Sequence, residues 1–348
     1  MKKFASALAV AAALGAPAVA SAQNATLTPY LTADVGVAFV DGDVLGNAND
    51  FDYFDSNVVS SVYGLRGSVD LGNGLKVIGN LEGDFNTASG DTHPAGVFRR
   101  AANVGVEGGF GRLELGTKLN PLLAFNGGSF AMGGNSVATN AAVALGYGHF
   151  FTNESITYTA KVQGLTAQLQ YGFESDGDPI SSPYGRARES VVSGFANYDA
   201  GAFQLGAAYS VTTGLEGSAN PDDETTWIVA AGTTLAGVKL KLAYLSHDDD
   251  AAADKVDAWH IGAAFAVTPQ LTVGGDYLQD DEGSSLLNVQ ARYTVSKNLM
   301  VYGLVNRVDN DAAGSSFALL HGGGYGAQNV ALFGTDEVAV AAGMVVSF

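Results

Sequence analysis

Five histidines, 35 acids and 17 bases are the side chains through which this chain could do chemistry. It has no cysteine, which excludes a disulfide scaffold, a zinc-thiolate or iron–sulfur site and a catalytic thiol. The histidines (His93, His149, His247, His260, His321) are scattered, with no His-x-x-x-His pair and no Gly-x-Ser-x-Gly elbow. Acids cluster instead, at Asp41, Asp43, Asp50, Asp52 and Asp55, at Asp222, Asp223 and Glu224, at Asp248, Asp249 and Asp250, and at Asp280, Asp281 and Glu282. Such clusters suit Ca²⁺ or Mg²⁺, whose ligands are oxygens. The run Asp248, Asp249, Asp250 lacks the glycine and terminal glutamate of a calcium loop, so solvated charge is the favoured reading and no cofactor is expected. The formal net charge of −18 argues against nucleic acid as a partner.

What remains for the charges is electrostatic work, and that depends on the elements that hold them. Arg66, Lys76, Arg112 and Lys118 fall on the polar side of alternating segments. In 26–40 the odd positions are Leu27, Pro29, Leu31, Ala33, Val35, Val37 and Phe39, while Thr26, Thr28, Thr32 and Asp34 are even. Period-two alternation of this kind is a β-strand with one apolar face. Val338, Val340, Ala342, Met344, Val346 and Phe348 repeat it at the C-terminus, and six further segments do so between. Glycine, 46 of 348 residues, weighs against helices. Seven short turn signals, such as Gly72-Asn73-Gly74, alternate with eight long polar connectors, near 41–56, 87–97, 119–152, 174–190, 213–224, 246–255, 279–285 and 309–336. Fifteen connections imply sixteen strands.

The chain opens on Met1, Lys2 and Lys3, a short apolar run, and Ala20-Ser21-Ala22. That pattern is a cleaved export leader over 1–22. Removing its two lysines leaves 15 basic and 35 acidic side chains, a net charge of −20. Exported all-β chains with this layout are soluble sandwiches or β-solenoids, or membrane barrels. In lipid every backbone polar group needs an internal partner, and a closed barrel supplies one without leaving an edge. Tyr30, Tyr158, Tyr171, Phe173, Tyr209, Tyr244, Tyr277 and Tyr293 sit near strand ends, as an interfacial girdle requires. The polar face carries Arg66, Lys239, Lys241 and Arg292, long charges that a dry core would not tolerate. The barrel is therefore expected over the sandwich.

Particular stretches then carry a resemblance. Residues 61–76 (SVYGLRGSVDLGNGLK) are similar to the second strand, first turn and third strand of the general porins of Gram-negative outer membranes. Residues 104–116 (VGVEGGFGRLELG) resemble that family's fourth and fifth strands, and 153–158 (NESITY) its return from the third loop. Phe348 matches the terminal signal read by the barrel-insertion machinery. The resemblance implies an all-β, sixteen-stranded antiparallel transmembrane barrel over 23–348, and a homotrimer in contact with outer-membrane lipid and lipopolysaccharide. It implies passive diffusion of small hydrophilic solutes rather than catalysis.

On this reading 119–152 is the constriction loop, because it is long, rich in small residues and placed where the family folds its third loop inward. It departs from the family in holding no Asp, Glu, Lys or Arg; His149 is its one titratable side chain, and Glu154 follows it. The expected pore lining is Arg66, Lys76, Arg99, Arg100, Arg112 and Lys118 with Glu82, Glu114, His149 and Glu154. Arg99 and Arg100 are adjacent, so alternation sends one of them into the lumen, and the family pattern favours Arg100. Val62 stands where relatives often have a second arginine, which weakens the transverse field. Acidic loops around the mouth predict a mild cation preference that fades at high salt. The rival readings are a substrate-specific channel, a barrel enzyme acting on lipid or peptide, and a surface adhesin.

Overall fold

The computed structural model describes residues 25–41, 50–93, 96–132, 147, 150–175, 187–217, 222–250, 255–310 and 336–348. The expected leader, 1–22, and His149 lie outside the described residues. The strands are β1 (Ala25–Asp41), β2 (Asp50–Asp55), β3 (Val62–Gly72), β4 (Leu75–Asp84), β5 (Ala101–Gly108), β6 (Gly111–Leu119), β7 (Phe151–Val162), β8 (Leu165–Gly172) and β9 (Arg188–Asp199). They continue as β10 (Phe203–Gly214), β11 (Glu224–Leu235), β12 (Val238–Asp249), β13 (Val256–Ala266), β14 (Leu271–Asp280), β15 (Ser285–Ser296), β16 (Leu299–Asp309) and β17 (Glu337–Ser347). One helix, α1 (Pro121–Ser129), lies between β6 and β7.

Each strand pairs antiparallel with its neighbours, and β1 closes the ring on β17, from Thr32 opposite Ser347 to Asp41 opposite Val338. The lower half of β1 pairs with β3 and its upper half with β2. β2 and β3 are thus two pieces of one barrel strand, interrupted at 56–61, and the seventeen segments make the sixteen strands expected. The seven short turns fall where their residues predict. At the first, Gly72, Asn73 and Gly74 all have positive φ (84°, 53° and 76°), which glycine and asparagine tolerate. The connector expected over 279–285 is shorter, because β14 runs to Asp280 and β15 starts at Ser285. Asp280 Oδ1 accepts the N–H groups of Glu282 (3.1 Å) and Ser284 (2.7 Å), tightening four residues into a turn.

Burial runs opposite to that of a water-soluble sandwich. On β15 Asn288 and Gln290 are 0% and 2% exposed while Val289 between them is 49% exposed. On β12 Leu240, Leu242 and Tyr244 face out and Lys241, Ala243 and Leu245 face in. The apolar faces form the outer surface of the cylinder, as lipid requires. The outward tyrosines include Tyr158, Tyr171, Tyr209, Tyr244 and Tyr293. Tyr30 departs from the expected girdle. It points inward, donates to Glu82 Oε2 (2.7 Å) and lies beneath the Arg66 guanidinium, because it occupies an even, inward position of β1.

The helix inside the third connector was not legible as a periodic pattern, yet its start carries the usual signals. The Asn120 side chain accepts the Leu122 N–H (2.9 Å), and Pro121 takes the first turn, where no N–H is needed. Leu122, Leu123 and Phe125 are buried as α1 packs across β8 to β12, on their inward face, with Phe125 5.9 Å from Phe195. The apolar side chains that would leave a surface helix unanchored in water are thereby covered.

Candidate functional site

Opposite the helix, the inward faces of β3 to β6 line a cavity of about 500 Å³. Arg66, Arg100, Arg112, Lys118, Glu82 and Glu114 line it, with Asn80, Asn103 and Phe151 among the rest. Six of the ten expected lining residues therefore meet in one place. The register explains this: Arg66 lies opposite Asn80, Glu82 precedes the bend to Arg100, and Glu107 faces Arg112 across a pair of strands. Four cations and two carboxylates line it, and Glu107, the partner of Arg112, brings the local balance to +1.

The cations differ in their partners. Arg100 Nε donates to Glu82 Oε1 at 2.9 Å, Arg112 Nε to Glu107 Oε2 at 2.7 Å, and Lys118 pairs with Glu114 one helical-range step away in sequence but two along the same strand face. Arg66 meets an aromatic ring instead, 4.1 Å above the centroid of Tyr30. Among the described residues no carboxylate pairs with it. A cation over an aromatic face has no opposite charge to cancel it, unlike its three neighbours in this cavity.

Four expected residues fall elsewhere or outside the description. Arg99 does not line the cavity; Arg99 Nε donates to Asp84 Oδ1 at 2.8 Å, and its Nη2 pairs with the same carboxylate. Alternation does not separate the two arginines, because both precede β5, and Arg100 Nη1 also approaches Asp84 (3.9 Å). Both guanidiniums cover the Phe151 ring, at 5.6 and 5.0 Å. Lys76 shares the inward face of β4 but lies exposed by the short turn, two residues beyond Ile78. Glu154 is exposed with φ 47°, at the bulge where β7 slips against β6, so it is turned away from the cavity. Asp248 and Asp249 belong to β12 and alternate to opposite faces, which prevents convergence on one ion. Among the described residues no three acidic or histidine side chains are placed to hold a metal.

Beyond α1 the chain continues along the same side of the barrel, onto β12 to β14. The Asp276 carboxylate accepts the backbone N–H groups of Ala131 (2.8 Å) and Met132 (3.3 Å), and His260 Nε2 lies 3.0 Å from its Oδ1. The Phe130 ring sits 4.1 Å from the His260 ring, and Lys239 Nζ donates to the Ala131 carbonyl. Tyr147 is buried with its hydroxyl 3.0 Å from Ser210 Oγ, and burial pushes its phenol up. Outside the strands, burial and the nearby Arg99 push His93 down to about 4, with Asp84 opposing. Tyr30 and Phe151 were missed as site residues. Period two gives their face and nothing about their partners.

A closed sixteen-strand barrel with an apolar exterior and a charged interior cavity is the architecture of an outer-membrane channel. The family description "Gram-negative porin" matches residues 7–313. The chain belongs to the Gram-negative porins. It is 26% identical over 336 residues to outer membrane porin protein 32 of Delftia acidovorans, covering 82% of this chain and 92% of that one. In structure it resembles an anion-selective porin from Comamonas acidovorans, with a TM-score of 0.72, 22% identity, and coverage of 93% and 100%. It also resembles the trimer form of the Vibrio cholerae outer membrane protein OmpT, with a TM-score of 0.64, 15% identity, and coverage of 94% and 100%. This porin is accordingly a multi-pass β-barrel of the outer membrane and a channel protein, not an enzyme.

Proposed function

We propose that this porin carries small hydrophilic solutes by passive diffusion, and that its narrowest section favours small anions. The observation that supports this is the net positive cavity on β3 to β6, with Arg66 unpaired by any described carboxylate. The mild cation preference expected from the acidic loops finds no support. Those loops lie at the wide mouth, where salt screens them, whereas a charge acts most strongly where the water column is thinnest. The similarity to a porin described as anion-selective points the same way.

The third connector serves as the constriction in this reading. Its described part covers the inward side of β8 to β14, from α1 to Asp276, and the basic cavity on β3 to β6 lies elsewhere in the ring. We assign the porin to a homotrimer, as in the trimer form of OmpT that it resembles. Ala33, Gly67, Gly79 and Ala102 leave the outer face of the early strands shallow.

The test is a reversal potential across a planar bilayer in a KCl gradient at about 0.1 M, where the Debye length is about 10 Å. Chloride permeability above potassium supports the assignment. Potassium permeability above chloride sinks it. Absence of discrete conductance steps from folded barrels would remove the channel reading itself.

A further inference from the structure

The break between β2 and β3 has a construction of its own. Ser56, Asn57 and Val58 are 0%, 2% and 1% exposed, although they belong to no strand. They lie against the inward faces of β1, β16 and β17, where Val58 joins a cluster with Ala38, Val40, Leu304 and Ala341. The segment is fastened by one carboxylate. Asp34 Oδ2 accepts the consecutive N–H groups of Val58 (2.5 Å) and Val59 (2.9 Å), and its Oδ1 accepts the Tyr302 hydroxyl (2.7 Å). Asn57 Nδ2 donates to that same hydroxyl at 2.9 Å. The Asp34 main chain holds it too, its carbonyl accepting the Ser56 N–H (2.9 Å) and its N–H donating to Ser61 Oγ (3.0 Å).

The wall beneath is shaped to receive it. Gly36 and Gly343 are cross-strand partners, both on the inward face. A Cβ at Gly343 would collide with the Tyr302 hydroxyl, and one at Gly36 would stand 3.0 Å from that hydroxyl and 3.1 Å from Asn57 Nδ2. The pair of glycines is the space in which Tyr302 lies flat and Asn57 reaches it.

We propose that residues 56–61 are a second narrowing element of the channel, held inside the lumen by Asp34 and Tyr302 as positioning residues. This rests on the channel reading above and deepens it. With the third connector anchored at Asp276, the segment occupies the β1, β16 and β17 side of the lumen. The water path is then confined to the side of Arg66, Arg100 and Arg112. A carboxylate suits the task because it accepts three hydrogen bonds with no proton of its own to place. An amide at the same position would set a donor against a donor.

The test uses the full chain refolded into planar bilayers, with heat-modifiable mobility on gels as the check that each barrel is closed. Asp34→Ala and Tyr302→Phe should each raise single-channel conductance, by about 1.5-fold for the first and less for the second, as the segment leaves the lumen. Asp34→Asn should fall between them. The chain has no native cysteine, so Val59→Cys supplies a unique thiol. A negatively charged, water-soluble thiol reagent should lower its conductance and its chloride preference. Closed barrels in which Asp34→Ala conducts as the parent does, or in which modified Val59→Cys is unchanged, overturn the proposal. Should Asp34→Ala fail to close, the Val59→Cys result decides alone. Parent barrels that do not conduct would instead refute the channel reading.

Discussion

Asp276 Oδ1 accepts the backbone N–H of Ala131 at 2.8 Å, across 145 residues of sequence. The same carboxylate takes the next N–H, of Met132, so one wall side chain fixes the end of a stretch that begins at α1. Asp276→Ala would leave both amides unpaired in a buried place, at a cost of about 1–3 kcal/mol. Hydrogen exchange over 121–132 should quicken by about tenfold or more, with barrel strands unaffected. Unchanged exchange there would show that α1 packing alone holds the segment.

Arg66 and Arg112 line one cavity, but only Arg112 has a carboxylate partner, Glu107. Arg66→Ala should therefore move the reversal potential toward potassium more than the double variant Arg112→Ala with Glu107→Gln, which removes one charge of each sign. The ordering is read at about 0.1 M salt and should shrink at 1 M, where the Debye length is about 3 Å. Equal shifts from the two variants would deny Arg66 its special standing.

His93 carries a pH dependence of definite sign. Its folded value of about 4 lies below the ordinary value near 6.5. Stability of the connector over 85–100 is thus complete above pH 6.5 and is lost as the pH falls toward 4, because protonation favours states in which the imidazole has left its site. Limited proteolysis of this connector should accelerate from pH 7 to pH 4.5. His93→Gln, which cannot titrate, should flatten that profile.

Val289 tests which face meets lipid. It is half exposed on the outer surface, between the inward Asn288 and Gln290. Val289→Arg should destabilise the bilayer-inserted barrel by about 2–4 kcal/mol if the site is near the midplane, measured by denaturant unfolding from vesicles. Ser68→Arg, on the inward face of β3 and only half-buried, should cost far less. Reversal of that ordering would contradict the inside-out arrangement.

The strand count and the outward faces were legible because period two needs no knowledge of neighbours. Leu240 and Leu242 are outward wherever β12 sits in the ring. Six of the expected residues share one cavity for the same reason. Arg99 and Glu154 stand apart from that cavity where the period fails, one before its strand begins and the other at a bulge. The helix at 121–129 escaped because its short apolar stretch has no polar face to set a 3.6-residue rhythm.

By itself the sequence determined a closed membrane barrel. Lipid leaves backbone groups no other partner, and alternating residues admit one outward face. Tertiary structure alone decided what stands in the lumen. Asp34 meets Tyr302 across 268 residues, and Arg66 finds the Tyr30 ring instead of an acid. Those meetings depend on strand register around a closed ring, which no local pattern encodes.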